Sequence, residues 1–138
     1  MGAVGIWRFR VPWSATDAAG IVFYPNYFRW FDDATHRFLT ELGFDTAILF
    51  RQAGQGLPLL EATARFAAPL RHGDEVELRT EAVELKAKVF RVRHSVLRDG
   101  QLVAEGEELR AWVEFVEGKP RAVPLPEAVR QALTGEGG

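Results

Sequence analysis

Residues 16–30 read Thr16-Asp17-Ala18-Ala19-Gly20-Ile21-Val22-Phe23-Tyr24-Pro25-Asn26-Tyr27-Phe28-Arg29-Trp30. Proline has no N–H and fits the first helical position, where that donor would lack an intrahelical partner, so a helix is predicted to begin near Tyr24. From there Tyr27, Phe31, Ala34, Phe38 and Leu42 recur at three- and four-residue spacing, and Gly43 is a good stop, which makes residues 25–42 the longest helix. Phe28, Trp30 and Leu39 widen its apolar surface beyond one stripe, as suits a helix enclosed by a sheet.

The rest of the chain supplies that sheet. Upstream, Ile6, Trp7, Phe9, Val11 and Trp13 interleave with Arg8 and Arg10, predicting a strand over 5–13 that runs into the Asp17 loop. Downstream, 45–56 reads as a short helical turn or loop, closed by Gly54 and Gly56, and 57–66 as a strand. In 74–85, Val76, Leu78, Thr80 and Ala82 alternate with Glu75, Glu77, Arg79 and Glu81, which predicts one solvated face. Residues 88–98 alternate Phe90, Val92, His94 and Val96 with Arg91, Arg93 and Ser95; Asp99-Gly100 then signals a hairpin into 101–116. Gly118-Lys119-Pro120 reads as the end of that strand and 126–133 as a terminal helix. One strand, one long helix and a run of antiparallel strands make an α+β layout in which a sheet can curl around the helix.

A chain of 138 residues suits one domain, here 1–134, with 135–138 as a flexible tail. Hydrophobic residues at 47%, charged residues at 26% and a formal charge of −2 describe a globular protein with no reason to expect nucleic acid as its main partner. There is no cysteine, which excludes disulfides and a thiol nucleophile, and His36, His72 and His94 are dispersed, so no metal is expected. No stretch approaches the roughly 18 apolar residues of a membrane span, and no basic leader is evident; a cytoplasmic protein is expected.

Chemistry points back to the Asp17 loop. Ala18, Ala19 and Gly20 carry little bulk, so a substrate can approach a carboxylate there, and the following helix start offers unpaired N–H groups with partial positive charge. An acid and a helix N-terminus can hold a thioester or ester carbonyl between them. The same residues also read as an ordinary turn, with Asp17 as turn acceptor and Gly20 as turn glycine. Asp32 and Asp33 fit a solvated helix face, Asp32 alternatively lining an acyl pocket. Asn26 is an early-helix polar group that could orient water or the loop, and His94, in register with Phe90 and Val92, reads as a core or interface histidine.

The pattern Asp17-x-x-Gly20-x-Val22-x-Tyr24-Pro25-Asn26-Tyr27-x-x-Trp30 resembles the hotdog-fold thioesterases, in particular the 4-hydroxybenzoyl-CoA thioesterase branch. Gly43, Pro58, Phe90-x-x-Arg93-His94-Ser95-Val96 and Arg121 before Pro124 extend the resemblance along most of the chain. It implies a curled five-stranded antiparallel sheet around the central helix, and a dimer, paired into a tetramer, with active sites between subunits. It implies hydrolysis of an aryl-CoA thioester with Asp17 as nucleophile or general base and the Tyr24 amide polarising the carbonyl, without metal or redox cofactor. Gly20, Val22, Phe23, Asn26, Tyr27, Asp32, Leu57 and Glu61 are then expected about the acyl group. Leu57 and Glu61 depart from the branch's pattern, which makes Glu61 a candidate second carboxylate for substrate choice. Lys86, Lys88 and Arg121 match basic positions that bind CoA phosphates, with Arg65, Arg71, Arg91 and Arg93 as alternatives. Neighbouring branches acting on short-chain acyl-CoA or acyl-carrier-protein esters share the Asp-x-x-Gly loop but often carry histidine where this chain has Pro25-Asn26. A noncatalytic acyl-CoA-binding protein is the rival from another class.

Overall fold

The computed structural model describes residues 2–135. In chain order these form β1 (Val4–Arg10), a 3-10 turn (Trp13–Ala15), α1 (Pro25–Glu41), α2 (Thr46–Ala53), β2 (Gln55–Gly56), β3 (Leu59–Phe66), β4 (Glu75–Leu85), β5 (Val89–Arg98), β6 (Gln101–Ala111), β7 (Val113–Val116), β8 (Lys119–Ala122) and α3 (Glu127–Thr134). Five strands make one antiparallel sheet in the order β1-β4-β5-β6-β3, and α1 contacts strands from one edge to the other. The α+β layout of a five-stranded antiparallel sheet around a long helix is therefore present.

Helix α1 runs 17 residues with Pro25 at its start, and it ends where Phe44 N bonds Leu39 O at 2.8 Å around Gly43. Its inward residues join two apolar clusters. Tyr27, Phe31 and Ala34 pack with Leu70, Val76, Leu78, Val96 and Ala104; Phe38 and Leu39 pack with Phe90, Val92, Trp112 and, from α3, Val129 and Leu133. Between the clusters lies a polar belt: Thr35 from α1, Thr80 from β4, His94 from β5 and Glu108 from β6, all at most 2% exposed. The inward faces of β4, β5 and β6 thus change from apolar to polar partway along those strands.

Gly106 explains how α1 comes so close to the sheet. A Cβ there would collide with the Phe31 ring and with the Thr63 carbonyl oxygen of the neighbouring strand. The carbonyl belongs to a paired backbone and cannot yield, so Gly106→Ala is expected to cost roughly 1–3 kcal/mol, in the range of overpacked cores. Urea denaturation measures this; stability equal to the parent would show that the strand can move aside.

Several boundaries differ from the sequence expectation. The first strand ends at Arg10 rather than 13, because the chain turns at Pro12 into the 3-10 turn. Residues 46–53 are a full helix, whose N-cap Asp45 accepts from the amides of Ala47 and Ile48 at 2.9 and 3.2 Å. The strand expected over 101–116 breaks at Trp112 into β6 and β7. Glu117-Gly118 does not end the sheet: with φ of 52° and 77°, it forms a hairpin turn that sends the chain back as β8, pairing Glu114 with Arg121. A second small sheet, β2-β7-β8, results. Gly135, assigned to the tail, instead caps α3 with φ 78°; residues 136–138 lie outside the described residues.

Candidate active site

The Asp17 loop is a small closed hairpin. Thr16 and Val22 form an antiparallel bridge, Asp17 N donates to Ile21 O at 2.9 Å, and Gly20, at φ 78°, donates to Asp17 O at 2.9 Å. Val22 N bonds Leu70 O at 2.8 Å and Phe23 N bonds Ala15 O at 2.9 Å, tying the returning arm to the body. Asn26 Nδ2 donates to the same Ala15 O at 2.9 Å, so this residue locks the helix start to the loop. Asp17 itself is exposed. One carboxylate oxygen accepts from Ala19 N at 2.8 Å, which is the turn geometry; among the described residues the other accepts nothing. The turn role and a chemical role thus coexist, since the bond orients the carboxylate and leaves an oxygen outward.

At the helix start, Asn26 N donates to Phe23 O at 3.0 Å and Tyr27 N to Tyr24 O at 3.1 Å, while Pro25 has no N–H. Tyr24 N is the amide that, among the described residues, donates to no protein atom. The first turn of α1 carries no acidic residue, so its positive end is not neutralised by its own side chains. An exposed carboxylate and an unpaired amide at a helix N-terminus, held by one hydrogen-bonded loop, suit attack on a carbonyl and stabilisation of the resulting oxyanion.

The remaining candidates divide. Phe23 and Tyr24 are exposed and stack edge to face, with ring centroids 5.5 Å apart, beside the loop. Val22, Tyr27 and Leu57 are core residues of the chain, at most 6% exposed, because each faces an apolar cluster. Tyr27 lies against Trp30 and Phe66, and burial pushes its phenol above its ordinary pKa. Asp32 is half exposed and bound from behind: Arg110 Nη2 donates to it at 2.7 Å, and His36 Nε2 lies 3.4 Å away. Glu61 lies on the edge strand β3 with Arg91 Nη1 3.2 Å from its carboxylate, and no bond joins it to the Asp17 loop. Lys86 and Lys88 are exposed on the β4–β5 hairpin, and Arg121 pairs with Glu114 at 3.3 Å.

Lys86 and Lys88 are not brought to Asp17 within one chain. The Asp17 loop packs where Ile21 bridges Arg71, just before β4 begins at Glu75, whereas Lys86 follows its end at Leu85. At about 3.3 Å per residue an 11-residue strand has a contour of up to about 33 Å between its ends.

Sequence reasoning missed the belt that backs Asp32. Glu108 accepts from Thr35, from Arg110 Nη2 at 3.0 Å and from His94 Nε2 at 3.1 Å; His94 Nδ1 meets Thr80 Oγ1 at 2.8 Å; and Arg110 Nη1 donates to Leu57 O at 3.0 Å. Burial alone would raise the Glu108 pKa, but the His94 bond, the Arg110 charge and hydrogen bond and the Thr35 bond hold it down to about 2. The available signal was register: in 104–110 every second residue faces α1, which puts Glu108 and Arg110 on the same side as Ala104 and Gly106. Among the described residues no three His, Cys, Asp or Glu side chains gather as metal ligands.

Residues 11–133 match the thioesterase-like superfamily. The chain is 30% identical to the 4-hydroxybenzoyl-CoA thioesterase of Pseudomonas sp. strain CBS-3 over 124 residues, covering 85% of this chain and 88% of that one. Among solved structures it superposes on a gentisyl-coenzyme A thioesterase with a TM-score of 0.85 at 46% identity, over 94% of this chain and 99% of that one. It superposes on the D17N mutant of 4-hydroxybenzoyl-CoA thioesterase complexed with 4-hydroxybenzoyl-CoA with a TM-score of 0.87 at 28% identity, over 94% and 98%.

Proposed function

Because the chain belongs to the thioesterase-like superfamily of hotdog folds, we propose that it hydrolyses an aryl-CoA thioester, of the hydroxybenzoyl kind, to the free acid and CoA. One observation carries this reading: the outward oxygen of Asp17 and the unpaired Tyr24 amide belong to a single braced loop. The thioester carbonyl lies between them. Asp17 either attacks the carbonyl carbon, expelling the CoA thiolate and leaving a mixed anhydride that water cleaves, or takes the proton of a water that attacks directly. In both routes the Tyr24 N–H and the positive end of α1 hold the oxyanion. Metal and redox cofactors have no part in the scheme; coenzyme A enters as part of the substrate. The exposed rings of Phe23 and Tyr24, and relatives named for hydroxylated aryl thioesters, support an aromatic acyl group.

The working unit in this reading holds two copies, paired again into a tetramer. Edge strand β3 leaves one side of its backbone unpaired and exposes Leu59, Leu60 and Phe66 at 48%, 56% and 49%, a surface suited to pairing with a second copy. Across such a pair the Lys86–Lys88 hairpin of one copy can serve the Asp17 loop of the other, which the span of β4 forbids within one. Glu61 then lies at the seam where acyl groups are selected, Asp32 lines the acyl side, and Lys86, Lys88 and Arg121 take the phosphates.

A panel of aryl- and alkyl-CoA esters assayed with a thiol reagent tests the proposal. The highest kcat/KM is expected for a hydroxybenzoyl ester. Faster turnover of short alkyl esters would replace the acyl class, and binding without turnover of any ester would leave the noncatalytic reading.

A further inference from the structure

The β4–β5 hairpin, residues 86–88, is pinned by its carbonyls. Lys88 O accepts from Trp112 N at 2.9 Å, Ala87 O from Leu125 N at 2.9 Å, and Lys86 O from Arg130 Nη2 at 2.6 Å, with a longer 3.5 Å contact from the same nitrogen to Ala87 O. Trp112 and Leu125 hold two of these oxygens through backbone groups of buried residues. The third depends on one side chain from α3. With the carbonyls engaged, the amides of Ala87 and Lys88 donate to no protein atom among the described residues.

Charge adds to the picture at the same corner. On the sheet's outer face five arginines are matched by carboxylates, Arg8 and Arg79 with Glu77, Arg10 with Glu75, Arg91 with Glu61, Glu84 and Glu107, and Arg93 with Glu107, while among the described residues Arg65 is not. Arg121, which the sequence pattern nominates for phosphate, is likewise matched by Glu114. Lys86, Lys88 and Arg130 have no carboxylate within 4 Å among the described residues, so this hairpin and the arginine bound to its backbone carry three cations without a carboxylate partner. Such a corner attracts a multiply charged anion, and a guanidinium that already spans the hairpin backbone presents its remaining N–H groups in a fixed plane.

We propose that Arg130 is a further cation of the CoA phosphate corner, beside Lys86, Lys88 and Arg121, and the residue that sets the hairpin carrying Lys86 and Lys88. The inference rests on reading that hairpin as the CoA phosphate site. Arg130 touches no reacting atom; it acts on binding of the nucleotide end of the substrate.

The test compares a hydroxybenzoyl-CoA ester with the matching pantetheine thioester, which lacks the nucleotide phosphates. Arg130→Ala is expected to raise KM for the CoA ester about 10-fold, the loss of one charge-assisted contact, with little change in kcat and none in either constant for the pantetheine ester. Arg130→Lys, which keeps the charge but not the planar fork, recovers part of the loss and serves if the alanine variant folds poorly. Equal damage to both esters, or no damage to either, overturns the proposal. Lys86→Ala separates the two levels. If it raises KM for the CoA ester while Arg130→Ala does not, the Arg130 role alone fails; if neither does, the hairpin is not the phosphate site. Calorimetric Kd values for CoA and pantetheine follow the same pattern and decide the question without turnover.

Discussion

Asp17→Asn is expected to lower kcat by a factor of roughly 10²–10⁴, the usual worth of a positioned proton-transfer or nucleophilic group, with KM and oligomeric state little changed. Asparagine has nearly the same shape, and its side-chain carbonyl can still accept from Ala19 N, the 2.8 Å bond that orients residue 17. The loop bonds between Asp17 N and Ile21 O and between Gly20 N and Asp17 O are backbone and survive. What vanishes is the negative charge, and with it attack on the carbonyl or abstraction of a water proton. Steady-state kinetics on the best ester of the panel, with size-exclusion chromatography alongside, reads both halves. Near-normal kcat would remove Asp17 from the chemistry and restore its plain turn role. Single turnover in heavy-oxygen water then identifies the nucleophilic route when label appears in the Asp17 carboxylate, which direct attack by water on the thioester cannot produce.

Arg110→Ala should be the most destabilising change in the core belt. It strips Glu108 of its buried counter-charge, frees the Leu57 carbonyl and releases Asp32. Breaking one partner of a buried pair costs about 3–5 kcal/mol, because the remaining charge stays in low dielectric unneutralised. For a domain of this size that corresponds to a fall in Tm on the order of 10 °C or more. Urea denaturation giving a loss below about 1 kcal/mol would show that water or a rearranged side chain replaces Arg110.

The same belt governs acid stability. Folding lowers the Glu108 pKa from 4.5 to about 2, so its contribution is fully present above 4.5 and disappears as pH falls toward 2. The shift corresponds to about 3 kcal/mol, and in Arg110→Ala this acid-dependent loss should shrink, since a principal cause of the lowered pKa is gone. Unfolding curves at stepped pH on both proteins check the sign and the difference.

Local rules made the long helix, the Asp99-Gly100 hairpin and the alternation of β4 and β5 legible in the sequence, because each depends on spacing within one segment or on a residue pair that tolerates left-handed backbone. Pro25 marked the helix start and thereby the place where an amide would be left unpaired. The resemblance carried by the Asp17 loop pointed to chemistry that an Asp-x-x-Gly turn by itself does not specify. Glu108 and Arg110 were hidden because an acidic and a basic residue in a strand ordinarily face water. Only the strand pairing of β6 between β5 and β3, under Thr35 of α1, turns them inward and makes their mutual neutralisation worthwhile. The β8 return was hidden for a different reason: Glu117 in a left-handed conformation is unusual, and the preceding β7, paired with β2, sets where that turn falls. The sequence by itself determined the long helix, the main strands and the acid at the loop, through periodicity and turn chemistry. Tertiary structure decided which charges are buried, which cations at the 86–88 hairpin go unneutralised, and that the loop and the hairpin lie at opposite ends of one strand, because those properties arise from distant segments brought into register.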